Sequence, residues 1–258
     1  TGVAQAVFAF AYLTFSFWLT LEMITYALAG VGAVDYYVRS VTAALAVAAG
    51  LTALPVAIKW LLIGRWKPDR FPVWGLKYYR FWIVRTLLAL SPMRLFAGTP
   101  LYNWYLRLLG ARIGKDAVLL NGGTVIATDM LSLGDSAFVS RTATMPGYKA
   151  RSGYIEIGSI SIGARAYVGE AAHLSINTAI GEGAQLGNTS ALYPGQSVPA
   201  GRRWHGSPAI ETETNYDRAG HLPVSRLRRV IYNVAQFATV FLLAPIPVAV
   251  GLALFPDI

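Results

Sequence analysis

The sequence predicts a mixed membrane protein in which a parallel β-helix domain is flanked by transmembrane α-helices. Two patterns carry this prediction. Large apolar residues recur at every sixth position through the middle of the chain, and three long segments outside that region carry almost no charge. The composition agrees, because 14% of the 258 residues are charged, whereas an average soluble domain has about 25%.

The period of six is carried by one large residue in each repeat: Ile162, Val168, Leu174, Ile180, Leu186, Leu192, Val198 and Trp204. An α-helix requires a period near 3.6 and a strand a period of 2. A period of six fits a short strand followed by a corner, repeated three times in each coil of a stack. Small residues such as Ala166 come four positions after each large one, and Gly163 and Gly169 come directly after it. We expect both to form the corners, where Gly adopts dihedrals that bulky residues resist.

The same period runs upstream in two phases. Its members are Ile113, Leu119, Val125 and Leu131, and then, after a slip of two residues, Leu133, Val139 and Met145. We expect a bulge or a widened corner at the slip. A longer excursion is expected from Met145 to Ile155, where the period is interrupted. The β-helix is therefore predicted to span residues 110–210.

Three apolar segments predict the membrane part. Residues 3–33 contain one charged side chain, Glu22, and residues 41–58 and 234–255 contain none. Each is long enough to cross the hydrocarbon core, which takes about 20 helical residues. The predicted parts are a hairpin of two transmembrane helices at 1–64, an exit linker with an amphipathic segment at 211–232, and a third transmembrane helix at 233–258.

Basic residues predict the topology. Between Lys59 and Arg94 lie eight Lys and Arg residues against one acid, Asp69. The positive-inside rule then puts the β-helix on the cytoplasmic side of a multi-pass protein in the cytoplasmic membrane. Residues 65–109 are predicted to form basic amphipathic interfacial helices, with their bases near anionic headgroups. Because the basic charge clusters at these boundaries and not on the β-helix, nucleic acid is disfavoured as a partner.

Several kinds of chemistry are disfavoured by the composition. Cysteine is absent, which excludes a disulfide framework and thiol chemistry. The sequence contains no Gly-rich phosphate loop and no acidic metal cluster, so no metal is expected. Both ends, at Thr1 and Ile258, lie in apolar runs. We therefore expect a segment of a longer polypeptide.

The end of the repeat region carries a family resemblance. Val198-Pro199-Ala200-Gly201 is followed by Gly206-Ser207-Pro208-Ala209, and with the hexads this resembles the acyltransferases of the hexapeptide-repeat superfamily. The resemblance implies a left-handed parallel β-helix. It also implies two further β-helix copies as partners, either in a homotrimer or as tandem copies in a pseudo-trimer.

A closer resemblance covers most of the chain. The segments 101–114, 128–135 and 204–209 resemble the membrane-bound terminal domains of nonribosomal peptide synthetases of the ε-poly-lysine-synthetase type. This implies an aminoacyl transfer from the phosphopantetheine thioester of a carrier protein, or from a CoA thioester. Two alternatives stay open: a catalytically degenerate copy that completes a pseudo-threefold assembly, and a membrane O-acyltransferase that acts on a lipid or glycan.

Acyl transfer requires a base for the nucleophile, and the resemblance shows where one is expected. In the family it is a His on a loop that leaves the β-helix, but this chain has Met145 there, and a thioether is no base. The catalytic candidates are therefore His173, Asp129 and His205. His173 is expected at a corner, pointing outward beside Glu170 or Ser175, where its usual pKa near 6.5 suits a base. For each candidate a purely structural role is the competing interpretation.

The candidate substrate-binding residues lie in two regions. Tyr148 and Lys149 belong to the excursion and are candidates for orienting an acyl chain or a carrier phosphate. Asn188 and Ser190 belong to a late coil, where relatives line the groove for the pantetheine arm. Trp204, beside His205 in the exit turn, completes this set.

Overall fold

The computed structural model describes residues 2–30, 32–121, 125–216, 225–243, 246–247, 250 and 254. It divides into two compact units, one formed by Thr1–Ala53 with Val224–Ile258 and the other by Leu54–Pro223. The helices are α1 (Gly2–Leu28), α2 (Ala33–Leu62), α3 (Leu76–Leu90), α4 (Pro100–Leu108) and α5 (Arg226–Ala238). The β-helix and the excursion lie in the second unit.

Two N-terminal helices are long and apolar enough to cross a membrane. The segments are Gly2–Leu28 and Val34–Leu62, with mean hydropathies of 1.6 and 2.1. The third span predicted at 233–258 is described in part: α5 continues into a π-helical turn, Thr239–Leu243, and most of the rest of that span lies outside the described residues. The predicted linker at 211–232 also lies partly outside the described residues. Helix α5 is capped by Ser225 Oγ, which accepts from Arg228 N at 3.2 Å.

The repeat region folds as a left-handed β-solenoid with three faces. The strands of the chain are β1 (Asp69–Pro72), β2 (Arg112–Ile113), β3 (Val118–Leu119), β4 (Leu131–Leu133), β5 (Phe138–Val139), β6 (Tyr148–Arg151), β7 (Tyr154–Ile157), β8 (Ile160–Ile162), β9 (Tyr167–Val168), β10 (His173–Leu174), β11 (Thr178–Ile180), β12 (Gln185–Leu186), β13 (Ala191–Leu192), β14 (Ser197–Val198), β15 (Arg203–His205) and β16 (Ile210–Glu211). The first face stacks β2, β4, β8, β11 and β14, and the second stacks β3, β5, β9, β12 and β15, with β16 at its edge. The third face pairs β10 with β13.

The hexad residues form the inner columns of these faces, as the period predicts. On the first face Leu133 is in register with Ile162, and Ile162 with Ile180. On the third face Leu174 is in register with Leu192, and both are 0% exposed. Each such side chain contributes about 1.5–3 kcal/mol through burial, so the columns are the core of the second unit.

The corners are built differently from the sequence expectation. Every sixth residue from Arg165 to Gly201 has a positive φ, and this series is Arg165, Ala171, Asn177, Gly183, Thr189, Gly195 and Gly201. The turn is therefore made three residues after each large residue, and the buried small residue follows it. Gly163 and Gly181 are required for another reason: a Cβ on Gly181 would lie 2.4 Å from Ala200 N, in the backbone of the next coil. Glycine here permits close stacking of coils.

The two interruptions of the period have distinct structures. A 3₁₀ turn, Thr128–Met130, lies directly before β4 and accounts for the slip of two residues. The longer excursion is a hairpin of β6 and β7, which pairs with β1 in a three-stranded antiparallel sheet. The solenoid resumes at Ile160 in β8, whereas the sequence had suggested that it resumes near Ile155.

Helices α3 and α4 pack in the same unit as the solenoid. The apolar residues of α3 are used inside the protein, since Phe81 is 3% and Val84 0% exposed. The Phe81 ring meets the ring of Tyr148 edge to face at 5.1 Å, which attaches α3 to the hairpin. Helix α4 is capped by Thr99, and Asn103 Nδ2 donates to Ala117 O at 2.7 Å, so α4 is anchored on the first coil.

Candidate functional site

The third face carries the histidine with the most suitable surroundings for acid–base chemistry. His173 is exposed at the start of β10. A parallel bridge joins it to Thr144 of the preceding coil. The Thr144 Oγ1 atom lies 2.8 Å from His173 Nδ1, and the His173 backbone N–H donates to Ser190 O at 2.8 Å. Both the imidazole ring and the backbone of His173 are therefore held in place by neighbouring coils.

The protonation of His173 favours a base. The side chain is accessible to solvent, but desolvation by the neighbouring residues lowers the pKa of the imidazole below its usual value, so the neutral ring predominates at neutral pH. When Nδ1 carries the proton and donates to Thr144 Oγ1, the lone pair is on Nε2. Within the part of the chain that the structure describes, Nε2 has no hydrogen-bond partner. It is open to a nucleophile that has a proton to lose.

Sequence reasoning missed Thr144 as the partner of His173. The expected neighbours were Glu170 and Ser175, which are close in sequence. Thr144 lies 29 residues away, because the β6–β7 hairpin lengthens the intervening coil. The signal that could have found it is the interrupted period itself, which puts Met145 on the inside of the third face and Thr144 on the outside.

A polar corner adjoins this face. The Glu170 carboxylate accepts the hydroxyl and the backbone N–H of Thr142, the latter at 3.2 Å, and these hydrogen bonds lower the pKa of Glu170. The Asn188 Oδ1 atom accepts Glu170 N at 2.9 Å. The predicted substrate-binding Asn188 is therefore an exposed corner residue with its oxygen engaged. Its Nδ2 has no partner among the residues that are described.

Ser190 and His205 come together at the exit end of the β-helix. Ser190 is 1% exposed, and its Oγ accepts Gly206 N at 3.1 Å and lies 3.3 Å from His205 Nδ1. The His205 ring stacks on Tyr216 of the exit segment with centroids 5.4 Å apart. Trp204 is in register with Leu186 and continues the inner column of the second face. In this pair Ser190 is buried, whereas His205, like His173, is exposed.

Asp129 lies elsewhere. It sits in the 3₁₀ turn that leads into the first face, and its Oδ2 is 2.7 Å from Lys59 Nζ and accepts Trp66 N at 3.0 Å. Lys59 is 0% exposed, and a Cβ on Gly110 would lie 2.2 Å from Asp129 Oδ1. The structure does not bring Asp129 onto the third face with His173.

The excursion is folded onto the protein. Met145 is 2% exposed and belongs to the core. Tyr148 packs on Phe81, as described above, and Lys149 is opposite Glu156 in the hairpin register. Tyr148 and Lys149 are therefore held by the antiparallel sheet. Among the residues that the structure describes, no group of three His, Asp or Glu could hold a metal ion.

Comparison with known proteins gives one curated relative and several solved structures. The chain is 29% identical over 184 residues to the delta-poly-L-ornithine synthetase of Acinetobacter baumannii. The aligned region covers 71% of this chain and 14% of that protein's length. The resemblance to a poly-amino-acid synthetase with a hexapeptide-repeat fold is thereby confirmed. No family model matches the sequence.

Three of the similar solved structures are acetyltransferases. A hexapeptide-repeat acetyltransferase from Vibrio cholerae is 13% identical and covers 52% of this chain and 92% of that chain, with a TM-score of 0.41. A maltose O-acetyltransferase from Clostridium difficile is 14% identical and covers 60% and 95%, with a TM-score of 0.40. The serine acetyltransferase of Neisseria gonorrhoeae is 15% identical and covers 69% and 72%, with a TM-score of 0.34.

Proposed function

We propose that this chain is a transferase module that moves an aminoacyl group from a thioester to an amine, with His173 as the general base. The observation that carries the proposal is the Thr144-bound, neutral imidazole of His173 with an open Nε2. The resemblance to a poly-amino-acid synthetase supports an amine as the acceptor. The chain spans only 14% of that relative's length, so donor and acceptor are part of the proposal.

The chemistry follows from a base at this position. The nitrogen of the acceptor amine attacks the thioester carbonyl, and His173 Nε2 takes the proton that the nitrogen loses as the C–N bond forms. The C–S bond then breaks and the thiolate leaves, taking a proton from the imidazolium, which restores the neutral ring. Thr144 keeps the ring oriented throughout by accepting from Nδ1–H. The products are an amide and a free thiol.

The thioester donor is a phosphopantetheine arm on a carrier protein, or CoA. Asn188 Nδ2, which is open, is a donor for an amide carbonyl of that arm. Ser190 of the same coil and Trp204 of the next coil are the other residues proposed for the arm. Tyr148 and Lys149 are proposed for the acyl chain and a carrier phosphate. His205 is a second candidate base, and its ring stacks on Tyr216. Asp129, bound to Lys59, has a geometry that favours a structural role.

A membrane location is part of the proposal. Helix α1 buries none of its side chains within the described structure, and Phe10 and Phe17 are 73% and 71% exposed. Apolar surface of this extent is costly in water, which supports a bilayer around α1 and α2. We further propose a multi-pass protein with the β-helix on the cytoplasmic side. Two more β-helix copies, as separate subunits or in tandem, are its proposed partners.

The test is a single-turnover reaction of the purified chain with an aminoacyl-CoA or an aminoacyl-pantetheine and a diamino acid. Release of thiol and formation of amide are measured separately. His173→Gln removes the base and should lower the rate by about 10²–10⁴-fold, while Ser161→Ala, an exposed position on the first face, should leave it unchanged. Equal rates for His173→Gln and the unaltered chain would refute His173 as the base.

One observation favours a different function. Met145 is buried in the core, and the excursion is held in the antiparallel sheet, as expected for a degenerate copy that only completes a threefold assembly. Such a copy would be folded and would release no thiol with any acceptor. Amide formation by the chain would exclude this reading. Ester formation with a hydroxyl acceptor would instead indicate an O-acyltransferase.

A further inference from the structure

Helix α4 has apolar side chains on its outer side as well as on its inner side. The inner residues Tyr105 and Leu106 are 3% and 2% exposed. The outer residues Leu101, Trp104 and Leu108 are 36%, 54% and 40% exposed, and their spacing of three and four places them on one side of the helix. A helix on the surface of a soluble protein normally carries polar residues there.

The outer side of α4 adjoins the end of α2. Trp60, in the last turns of α2, donates from Nε1 to Leu108 O at 2.8 Å and is 41% exposed. Trp60, Leu101, Trp104 and Leu108 therefore form one surface, the outer apolar patch. The segment Val34–Leu62 is one of the two helices that could cross a membrane, so this patch lies at the end of a candidate span.

The surroundings of the patch indicate its occupant. Arg65 and Lys67, which follow α2, are exposed bases, and bases beside tryptophan are typical of a membrane–water interface. The solenoid differs, because its outward positions on the first face are small or polar, as at Ser132, Ser161 and Ser197. The first face suits water, and the α4 surface suits lipid headgroups and upper acyl chains.

We propose that α4 lies in the plane of the membrane interface, beside the point where α2 leaves the bilayer, with the outer apolar patch in contact with lipid. This inference rests on the membrane part of the proposed function. Within the segment 65–109, for which the sequence predicts interfacial helices, it assigns this position to α4, because α3 uses its apolar side chains inside the protein. The base at His173 would then be held at a set height from the bilayer by α4.

The absence of cysteine makes a site-specific test direct. Single cysteines are introduced by Trp104→Cys and Leu101→Cys in the patch, by Leu45→Cys in α2, and by Ser161→Cys on the first face. The full chain is labelled with a bimane fluorophore and reconstituted in phosphatidylcholine vesicles containing phosphatidylglycerol. Quenching is compared for doxyl groups near the headgroup and deep in the acyl chain, and for aqueous iodide.

The expected result is strong quenching of the labels at 104 and 101 by the shallow doxyl group, several-fold above that of the label at 161. The label at 45 should respond most to the deep group. Quenching at 104 and 101 no stronger than at 161, with 45 quenched, would overturn the inference and leave the membrane proposal standing. Without quenching at 45, the membrane proposal itself fails. Labels at 104 shielded from both doxyl and iodide would show that protein covers the patch, which also overturns the inference.

Discussion

Replacing Asp129 by Asn should destabilise the second unit strongly, because it leaves Lys59 charged and unpaired. The Lys59 side chain is 0% exposed and the Asp129 side chain 11%, so solvent screens their interaction little. The contact is a close ion pair at 2.7 Å, although Nζ makes no aligned hydrogen bond. Asn keeps the size of the side chain and can still accept Trp66 N, so the change removes only the charge.

The magnitude follows from the partners of Lys59. Removal of one member of a buried ion pair costs about 3–5 kcal/mol. The ammonium group also lies 3.6 Å from the centroid of the Trp60 ring, and this cation–π contact retains about 1 kcal/mol. We therefore expect a loss of about 2–4 kcal/mol in the free energy of unfolding, which lowers the Tm by about 4–16 °C for a unit of this size.

The assay is thermal unfolding of the full chain in detergent micelles, followed by far-ultraviolet circular dichroism. The double variant Lys59→Met/Asp129→Asn removes both charges and should recover to within about 1 kcal/mol of the unaltered chain. Glu182→Gln, which breaks the exposed pair with Arg165, is the matched control and should cost less than about 1 kcal/mol. The reasoning is refuted if Asp129→Asn melts with the unaltered chain, or if the double variant is as unstable as the single one.

The remaining predictions concern the site and the coils. The rate of amide formation should rise with pH through a pKa below 6.5, since burial lowers the pKa of His173 and only the neutral ring accepts a proton. A further rise at higher pH is expected from deprotonation of the acceptor amine, in the unaltered chain and in His173→Gln alike. A limb below 6.5 that persists in His173→Gln would contradict the assignment to His173. Thr144→Val should lower kcat with little change in KM, whereas Thr144→Ser should retain activity; equal loss in both variants would argue against the hydroxyl. Gly181→Ala should cost about 1–3 kcal/mol of stability by overpacking against Ala200. Gly183 has open space around it and a φ of +62°, so Gly183→Ala should cost about 1 kcal/mol through backbone strain alone. Both losses are measured by thermal unfolding. Equal costs for the two glycines would refute the stacking argument.

The solenoid could be read from the sequence because its main constraint is local and repeated. Each coil presents one large residue per face to the same narrow interior, so Ile162, Ile180 and Val198 had to recur with one period. The corners were predicted less well, since a small residue marks a corner but does not say which neighbour turns. The turn is made at residues such as Arg165 and Asn177, whose types alone do not require a positive φ.

The candidate site could be predicted only in part. His173 was identified as an outward-facing base candidate, but its partner depends on which residue of the previous coil is adjacent. That pairing depends on the length of the β6–β7 excursion, which no local pattern encodes. Asp129 was one of the catalytic candidates, with a structural role as the competing interpretation. Its actual partner, Lys59, comes from a helix 70 residues earlier, and charge pairing over such a separation leaves no periodic signal.

The sequence by itself determined the β-helix, the two apolar helices at the N-terminus and the histidines available for chemistry. These follow from periodicity, length and composition, which are properties of neighbouring residues. The tertiary structure decided the Thr144–His173 contact, the Lys59–Asp129 pair and the exposure of the outer side of α4. Each depends on the docking of segments far apart in the chain, and the free energy of that docking is shared among many weak contacts, so it cannot be assigned to any one stretch of sequence.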